Sequence, residues 1–150
     1  MRNIYVASSW RNRYQPEVVR CLRGEGHLVY DFRNPPNKSG FGWEQINANW
    51  TRWSFEEYQA ALRHPLATSG FHADHMALEE ADTCVLVMPS GRSAHLEAGY
   101  MIGQDKPTLV YMPEMSEPEL MYLLADRVVN NIFQVVDWVN DLDGRPRVVA

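Results

Sequence analysis

The chain has 150 residues, of which 45% are hydrophobic and 22% charged, and its formal net charge is -5. That length suits one domain able to bury a core without metal or disulfide support, and the composition excludes a disordered chain. The acidic balance offers no basic face for duplex nucleic acid, so no nucleic-acid partner is expected.

In chain order, Ile4-Tyr5-Val6-Ala7 is a β-rich run, and Pro16 to Leu22 follows with Val18, Val19 and Leu22 at helical spacing before Gly24 and Gly26. Leu28-Val29-Tyr30 predicts a second strand, Thr83 to Met88 a third and Pro107 to Tyr111 a fourth. A helix is expected over Glu117 to Ala125 and a fifth strand at Arg127-Val128-Val129. Ile132, Val135, Val136, Val139 and Leu142 mark one face of a closing helix. Such alternation predicts an α/β chain, a Rossmann-like or flavodoxin-like three-layer sandwich. Its five parallel strands would take the order 2-1-3-4-5, an order reached by analogy.

A single domain is expected over 1–150, with an aromatic-rich insertion at about 34–65. There Phe41, Trp43, Trp50, Trp53, Phe55 and Tyr58 crowd together around one short helix, for which Ser54 and Glu57 fit a capping box. Those rings suit a lid over a substrate, with Trp50 and Trp53 the foremost candidates, and suit a satellite core equally well. Cys21 and Cys84 have no metal-ligand spacing and read as small buried hydrophobes. There is no signal-peptide core and no apolar run long enough to span a bilayer, so a cytoplasmic protein without a membrane partner is expected.

The chemistry concentrates after the third strand, in Ser90-Gly91-Arg92-Ser93-Ala94-His95-Leu96-Glu97-Ala98-Gly99-Tyr100. With Ser93 as N-cap, Glu97 shares a helical stripe with Ala94, Ala98 and Met101, which turns its carboxylate toward the sheet or a cleft. A carboxylate is seldom buried without a partner or a task. The helix dipole and Arg92 would keep it ionised, as attack on an anomeric carbon requires. A structural acid, capping an amide or pairing with arginine, is the weaker alternative. On the preceding helix, expected over Thr68 to Asp82, Asp74 interrupts an apolar face of Phe71, Leu78 and Ala81. It suits the second carboxylate of glycosyl-transfer chemistry and, equally, a structural bond to backbone or to His75. The loop after the first strand carries Ser8, Ser9, Trp10 and Arg11, matching Ser90, Gly91, Arg92 and Ser93 across the expected switch-point crevice. Hydroxyls, amides and guanidinium there suit a phosphate or sugar hydroxyls, and also suit plain solvated turns.

Three of these segments together resemble the nucleoside 2-deoxyribosyltransferase superfamily, including the 2′-deoxynucleoside 5′-monophosphate N-glycosidases. They are the opening Ile4 to Ser9, Asp74 before Ala81-Asp82, and above all Leu96-Glu97-Ala98-Gly99-Tyr100 with Gly103-Gln104-Asp105-Lys106-Pro107. The resemblance implies a Rossmann-like subunit of a homo-oligomer, a nucleoside or nucleotide substrate and no metal or organic cofactor. It also implies that Glu97 forms a covalent deoxyribosyl intermediate and that Asp74 contacts sugar or base. Transferases of the family often carry acids before the nucleophile, whereas the monophosphate hydrolases place serine there, as Ser90-Gly91-Arg92-Ser93 does. Transfer and hydrolysis both stay open. The rivals are a non-catalytic nucleotide sensor of the same fold and an NAD glycohydrolase. Dinucleotide, NTPase and flavin loops lack their glycines here.

Overall fold

The computed structural model describes residues 1–36 and 40–142. Five strands, β1 (Asn3–Ala7), β2 (Leu28–Tyr30), β3 (Thr83–Val87), β4 (Thr108–Tyr111) and β5 (Arg127–Val129), form one sheet in the order β2-β1-β3-β4-β5. Every pairing is parallel, with Ile4 beside Val29 and Thr83, Cys84 beside Thr108, and Leu109 beside Arg127. The helices are α1 (Gln15–Gly24), α2 (Phe55–Ala61), α3 (Pro65–Glu80), α4 (Arg92–Gly103) and α5 (Ile132–Asp141). Two compact units result, residues 1–30 with 81–142 and residues 31–80.

In the first unit β1 and β3 read as nearly continuous apolar runs because helices cover both faces of the sheet. Side chains alternate across a strand. Ile4, Val6, Val85, Val87, Leu109 and Tyr111 therefore share one face, packed against Val18, Val19 and Leu22 of α1 and Val135, Trp138 and Val139 of α5. Tyr5, Ala7, Cys84, Leu86, Thr108 and Val110 point the other way, where α4 lies against β1, β3 and β4 with Ala94, Ala98 and Met101 buried. Trp138 joins the core face of α5 beside the expected valines.

At the amino ends of the strands one device occurs twice. Asp82, just before β3, accepts from the Asn3 amide at 3.0 Å and returns its own amide to the Asn3 carbonyl at 2.9 Å. Asp126, just before β5, does the same with Thr108 of β4, at 2.7 and 2.9 Å. Each reciprocal pair fixes where two neighbouring strands begin.

Several boundaries depart from the sequence reading. The helix expected over Glu117 to Ala125 is a 3₁₀ turn, Leu120–Leu124, capped by the Glu119 side chain on the Met121 amide at 2.9 Å. Leu120, Met121, Leu123 and Leu124 are exposed, so this segment lacks the buried face that sustains a longer helix. α3 starts three residues earlier than expected, with Pro65 in its first position, where a missing amide proton costs nothing. Its buried side is Ala67 and Leu78, and Phe71, expected on the apolar face, is 69% exposed and stacks on His75 at 5.5 Å.

The second unit holds the aromatic stretch. Trp43 meets Phe41, Trp53 and Tyr58 edge-on at 5.0, 5.8 and 6.0 Å, a geometry that aromatic quadrupoles favour. The capping box at α2 is complete: the Glu57 amide donates to Ser54 Oγ at 3.2 Å, and the Ser54 amide donates to the Glu57 carboxylate at 2.7 Å. Two 3₁₀ turns, Trp43–Gln45 and Trp50–Arg52, precede it. A Cβ on Gly70 would stand 2.8 Å from Phe41 Cβ, so glycine lets α3 pass against the ring.

Candidate active site

In a parallel sheet of this order the ligand crevice opens at the carboxyl ends of β1 and β3. There the carbonyl of Val87 accepts from Ser8 Oγ at 2.9 Å and from Asn12 Nδ2 at 3.1 Å. Asn12 Nδ2 also donates to the Pro89 carbonyl at 2.9 Å, while its Oδ1 accepts from the amides of Tyr14 and Gln15 at 2.7 and 3.0 Å. One buried amide side chain thus fastens the loop after β1 to the loop after β3 and caps the start of α1. The sequence reading passed over Asn12, although an asparagine just ahead of a helix with proline in its first turn is a cap signal.

The structure brings both expected serine-arginine loops to this end of the sheet but gives their members different duties. Ser8 is buried and engaged with Val87. Ser9 Oγ accepts from the Arg11 amide at 3.2 Å, and Trp10 and Arg11 are exposed. Ser90 Oγ donates to Met88 Sδ at 3.2 Å. α4 begins earlier than the sequence reading placed it: its N-cap is Gly91, not Ser93, and no side chain caps it. Gly91 is extended there, at φ -94° and ψ -163°, and Arg92 and Ser93 become exposed members of the first turn. The first amides of a helix have no partner within it, so this turn presents donors and the positive end of the dipole.

Glu97 follows one turn later and is half-buried. Ala94, Ala98 and Met101 form the buried stripe of α4, and Glu97 lies on one side of it. His95, Gly99 and Ile102 lie on the other side, where they line an apolar cavity of about 290 Å³ over Leu86, Thr108 and Val110, closed by Met121, Tyr122 and Leu124. That cavity is therefore not the Glu97 site. Since it borders β4, the Glu97 flank is turned toward β1. Burial, and second the negative charge of Glu97, push the Cys84 thiol well above its usual range, which ties the carboxylate to the sheet beneath α4. Cys84 and the half-buried Cys21 are both free thiols.

Two polar clusters escaped the sequence reading because their members lie far apart in the chain. His95 Nδ1 stands 2.8 Å from the Gly91 carbonyl and its Nε2 stands 2.9 Å from the Tyr122 hydroxyl. Arg13, Tyr14 and Glu114 form a second cluster on the surface, Arg13 donating to both Tyr14 and Glu114 and the Tyr14 hydroxyl donating to Glu114. The Tyr14 hydroxyl first, then the Arg13 side chain, holds Glu114 below the ordinary carboxylate range.

The other expected site residues belong to the second unit. Asp74 is half-buried on α3, where neighbouring His75 lies 3.9 Å from Glu79. Trp50 is 39% exposed, whereas Trp53 is part of the edge-to-face cluster. Among the described residues no helix is long and apolar enough to cross a membrane.

No protein-family model matches the chain, and no curated protein does. Among solved structures, it is similar to a 2-deoxyribosyltransferase from the psychrotolerant bacterium Bacillus psychrosaccharolyticus, described as a biocatalyst for the synthesis of antiviral and antitumoral nucleosides. The TM-score is 0.59 at 22% sequence identity, with 88% of each chain covered. The chain thus has the three-layer α/β fold of that 2-deoxyribosyltransferase.

Proposed function

We propose that this chain cleaves the N-glycosidic bond of a (2′-deoxy)nucleoside or its 5′-monophosphate, with Glu97 as the nucleophile, as a member of the nucleoside 2-deoxyribosyltransferase superfamily. The observation that carries this reading is the place of Glu97, a half-buried carboxylate beside the apolar stripe of α4, in a chain with the fold of a 2-deoxyribosyltransferase. An ionised carboxylate with reduced solvation is a competent nucleophile toward an anomeric carbon. In the first step a Glu97 oxygen bonds to C1′ as the C1′–N bond breaks, and its electron pair leaves on the base, which takes up a proton. In the second step a base nitrogen or a water oxygen attacks C1′, loses its proton and returns Glu97 as a carboxylate. The acceptor decides between deoxyribosyltransferase and N-glycosidase.

The uncapped first turn of α4 supports a place for the 5′ group, because amides, the Ser93 hydroxyl and the Arg92 guanidinium are all donors suited to a phosphate. Ser9, Trp10 and Arg11 offer further contacts from the loop after β1, and Ser90 and Gly91 shape the other side. Ser8 is better suited to holding Val87 than to touching a ligand. Asp74 enters the proposal through the family resemblance, and Trp50 and Trp53 through the stacking chemistry of their rings. The proposed setting is a cytoplasmic homo-oligomer.

The test is incubation with a panel of nucleosides and 5′-monophosphates, with and without added free base, followed by chromatography of the bases. Free base released without an acceptor identifies hydrolysis, and exchange only with an acceptor identifies transfer. Binding of nucleotide that stays whole would refute catalysis in favour of a sensor, and nicotinamide released from NAD alone would move the substrate to the dinucleotide.

A further inference from the structure

The first turn of α4 begins at a glycine, which has no side chain to hold its own peptide in place. The backbone bond from the His95 amide to the Gly91 carbonyl is long, 3.4 Å, whereas the His95 ring reaches the same carbonyl at 2.8 Å. A carbonyl oxygen only accepts, so Nδ1 carries the proton. A neutral ring with Nδ1 protonated has its lone pair on Nε2, and Nε2 accepts from the Tyr122 hydroxyl at 2.9 Å. Tyr122 keeps that proton to give, since burial and, second, Glu119 push its phenol above the usual range. Met88 Sδ lies 3.3 Å from the same hydroxyl and 3.2 Å from Ser90 Oγ, and with the single phenol proton given to His95 at the shorter distance its donor is Ser90. Ser90 is thereby held by Met88 within the loop, and Gly91 by His95 of α4.

A trans peptide is planar, with its C=O and N–H directed oppositely. Fixing the Gly91 carbonyl therefore fixes the Arg92 N–H. We propose that His95 is a positioning residue which, held in the Nδ1–H form between Gly91 and Tyr122, aims the Arg92 amide outward at the anionic 5′ group of the substrate. This rests on reading the start of α4 as the place of that group. His95 itself lies on the cavity side of α4, away from Glu97, so it acts through the loop.

The experiment uses the full chain and 2-deoxyribose 5-phosphate as probe, titrated while backbone amides are followed by NMR, with imidazole nitrogens observed at about pH 8, above the ordinary histidine range. The Nδ1–H tautomer is expected for His95, against the preference of free imidazole. His95→Leu removes both bonds and should weaken the probe about tenfold, the worth of one well-aimed hydrogen bond. His95→Asn places an amide N–H near the Nδ1 position and should restore most of the affinity while losing Tyr122. An Nε2–H tautomer in the parent, which needs no variant to be read, would overturn the inference. So would parental affinity in His95→Leu, or equal weakening in both variants. A parent that does not bind the probe through the Arg92 to Ala94 amides would instead refute the placing of the 5′ group, and this inference with it.

Discussion

Glu97 is the acid of α4 and lies beside the buried stripe of Ala94, Ala98 and Met101. Its removal separates catalysis from structure. Glu97→Gln keeps the shape and deletes the charge; if Glu97 is the proposed nucleophile, turnover should fall by several orders of magnitude. On the same reading the melting temperature should be unchanged or raised, since neutralising a carboxylate that awaits substrate in a cleft relieves a desolvation cost. A variant that stays active and loses roughly 3–5 kcal/mol would show Glu97 to be one half of a buried ion pair instead. At this scale an anomaly of composition was enough to locate Glu97, the charge in the run from Leu96 to Gly103, half-buried beside the apolar stripe of α4, though not to give its role. It was not legible where one residue type serves two ends. A serine after a strand bonds a ligand or a backbone carbonyl with equal ease, and Ser8 bonds Val87.

The strands were legible as elements because each is a short apolar run between turn residues, and β2 and β5 coincide with their expected spans. Helix ends were less so. Ser93 has the better capping chemistry, yet α4 starts two residues ahead of it, at an extended Gly91. Pairings between distant loops were invisible, and the Arg13, Tyr14 and Glu114 cluster joins segments a hundred residues apart. Its energetics give a signed expectation. Glu114 has a depressed folded pKa, so its contribution to stability is present above the ordinary carboxylate value and is lost as pH falls through the lower, folded one. Parent and Glu114→Gln should therefore differ slightly in denaturant midpoint at neutral pH and converge in acid. Added salt should shrink the difference too, since the cluster is exposed. A difference that persists in acid and high salt would assign it to packing.

On the scale of the whole molecule, alternation of strand and helix marked a parallel sheet, and the order 2-1-3-4-5, which came by analogy, is the one found. The two compact units were not legible, since the aromatic stretch expected at 34–65 shows neither how far its unit extends nor that α3 belongs to it. The structure does distinguish the tryptophans there. Trp53 meets Trp43 edge-on, as a satellite core would have it, while Trp50 is exposed enough to meet a ligand. If the stretch walls in a base, saturating substrate should change the tryptophan fluorescence, and Trp50→Phe should abolish most of that change. Trp53→Phe should keep the response and lower the melting temperature. A parent whose fluorescence ignores substrate would leave the rings as a satellite core alone.

The reciprocal aspartate clamps at Asp82 and Asp126 bear on how such a chain can be altered by insertion. Each clamp needs its aspartate directly ahead of the strand, so a residue added there would pull the carboxylate out of reach of the neighbouring amide. The opposite rim of the sheet carries no such restriction after β2, where the chain leaves Tyr30 and spends residues 31–80 in a separate unit before returning at Ala81. The amino rim is fixed in length at these two strands, and the carboxyl rim carries its added length after β2. A designer exchanging loops to change what this framework accepts should leave the clamped rim alone and draw variation from the connection after β2, which already bears it.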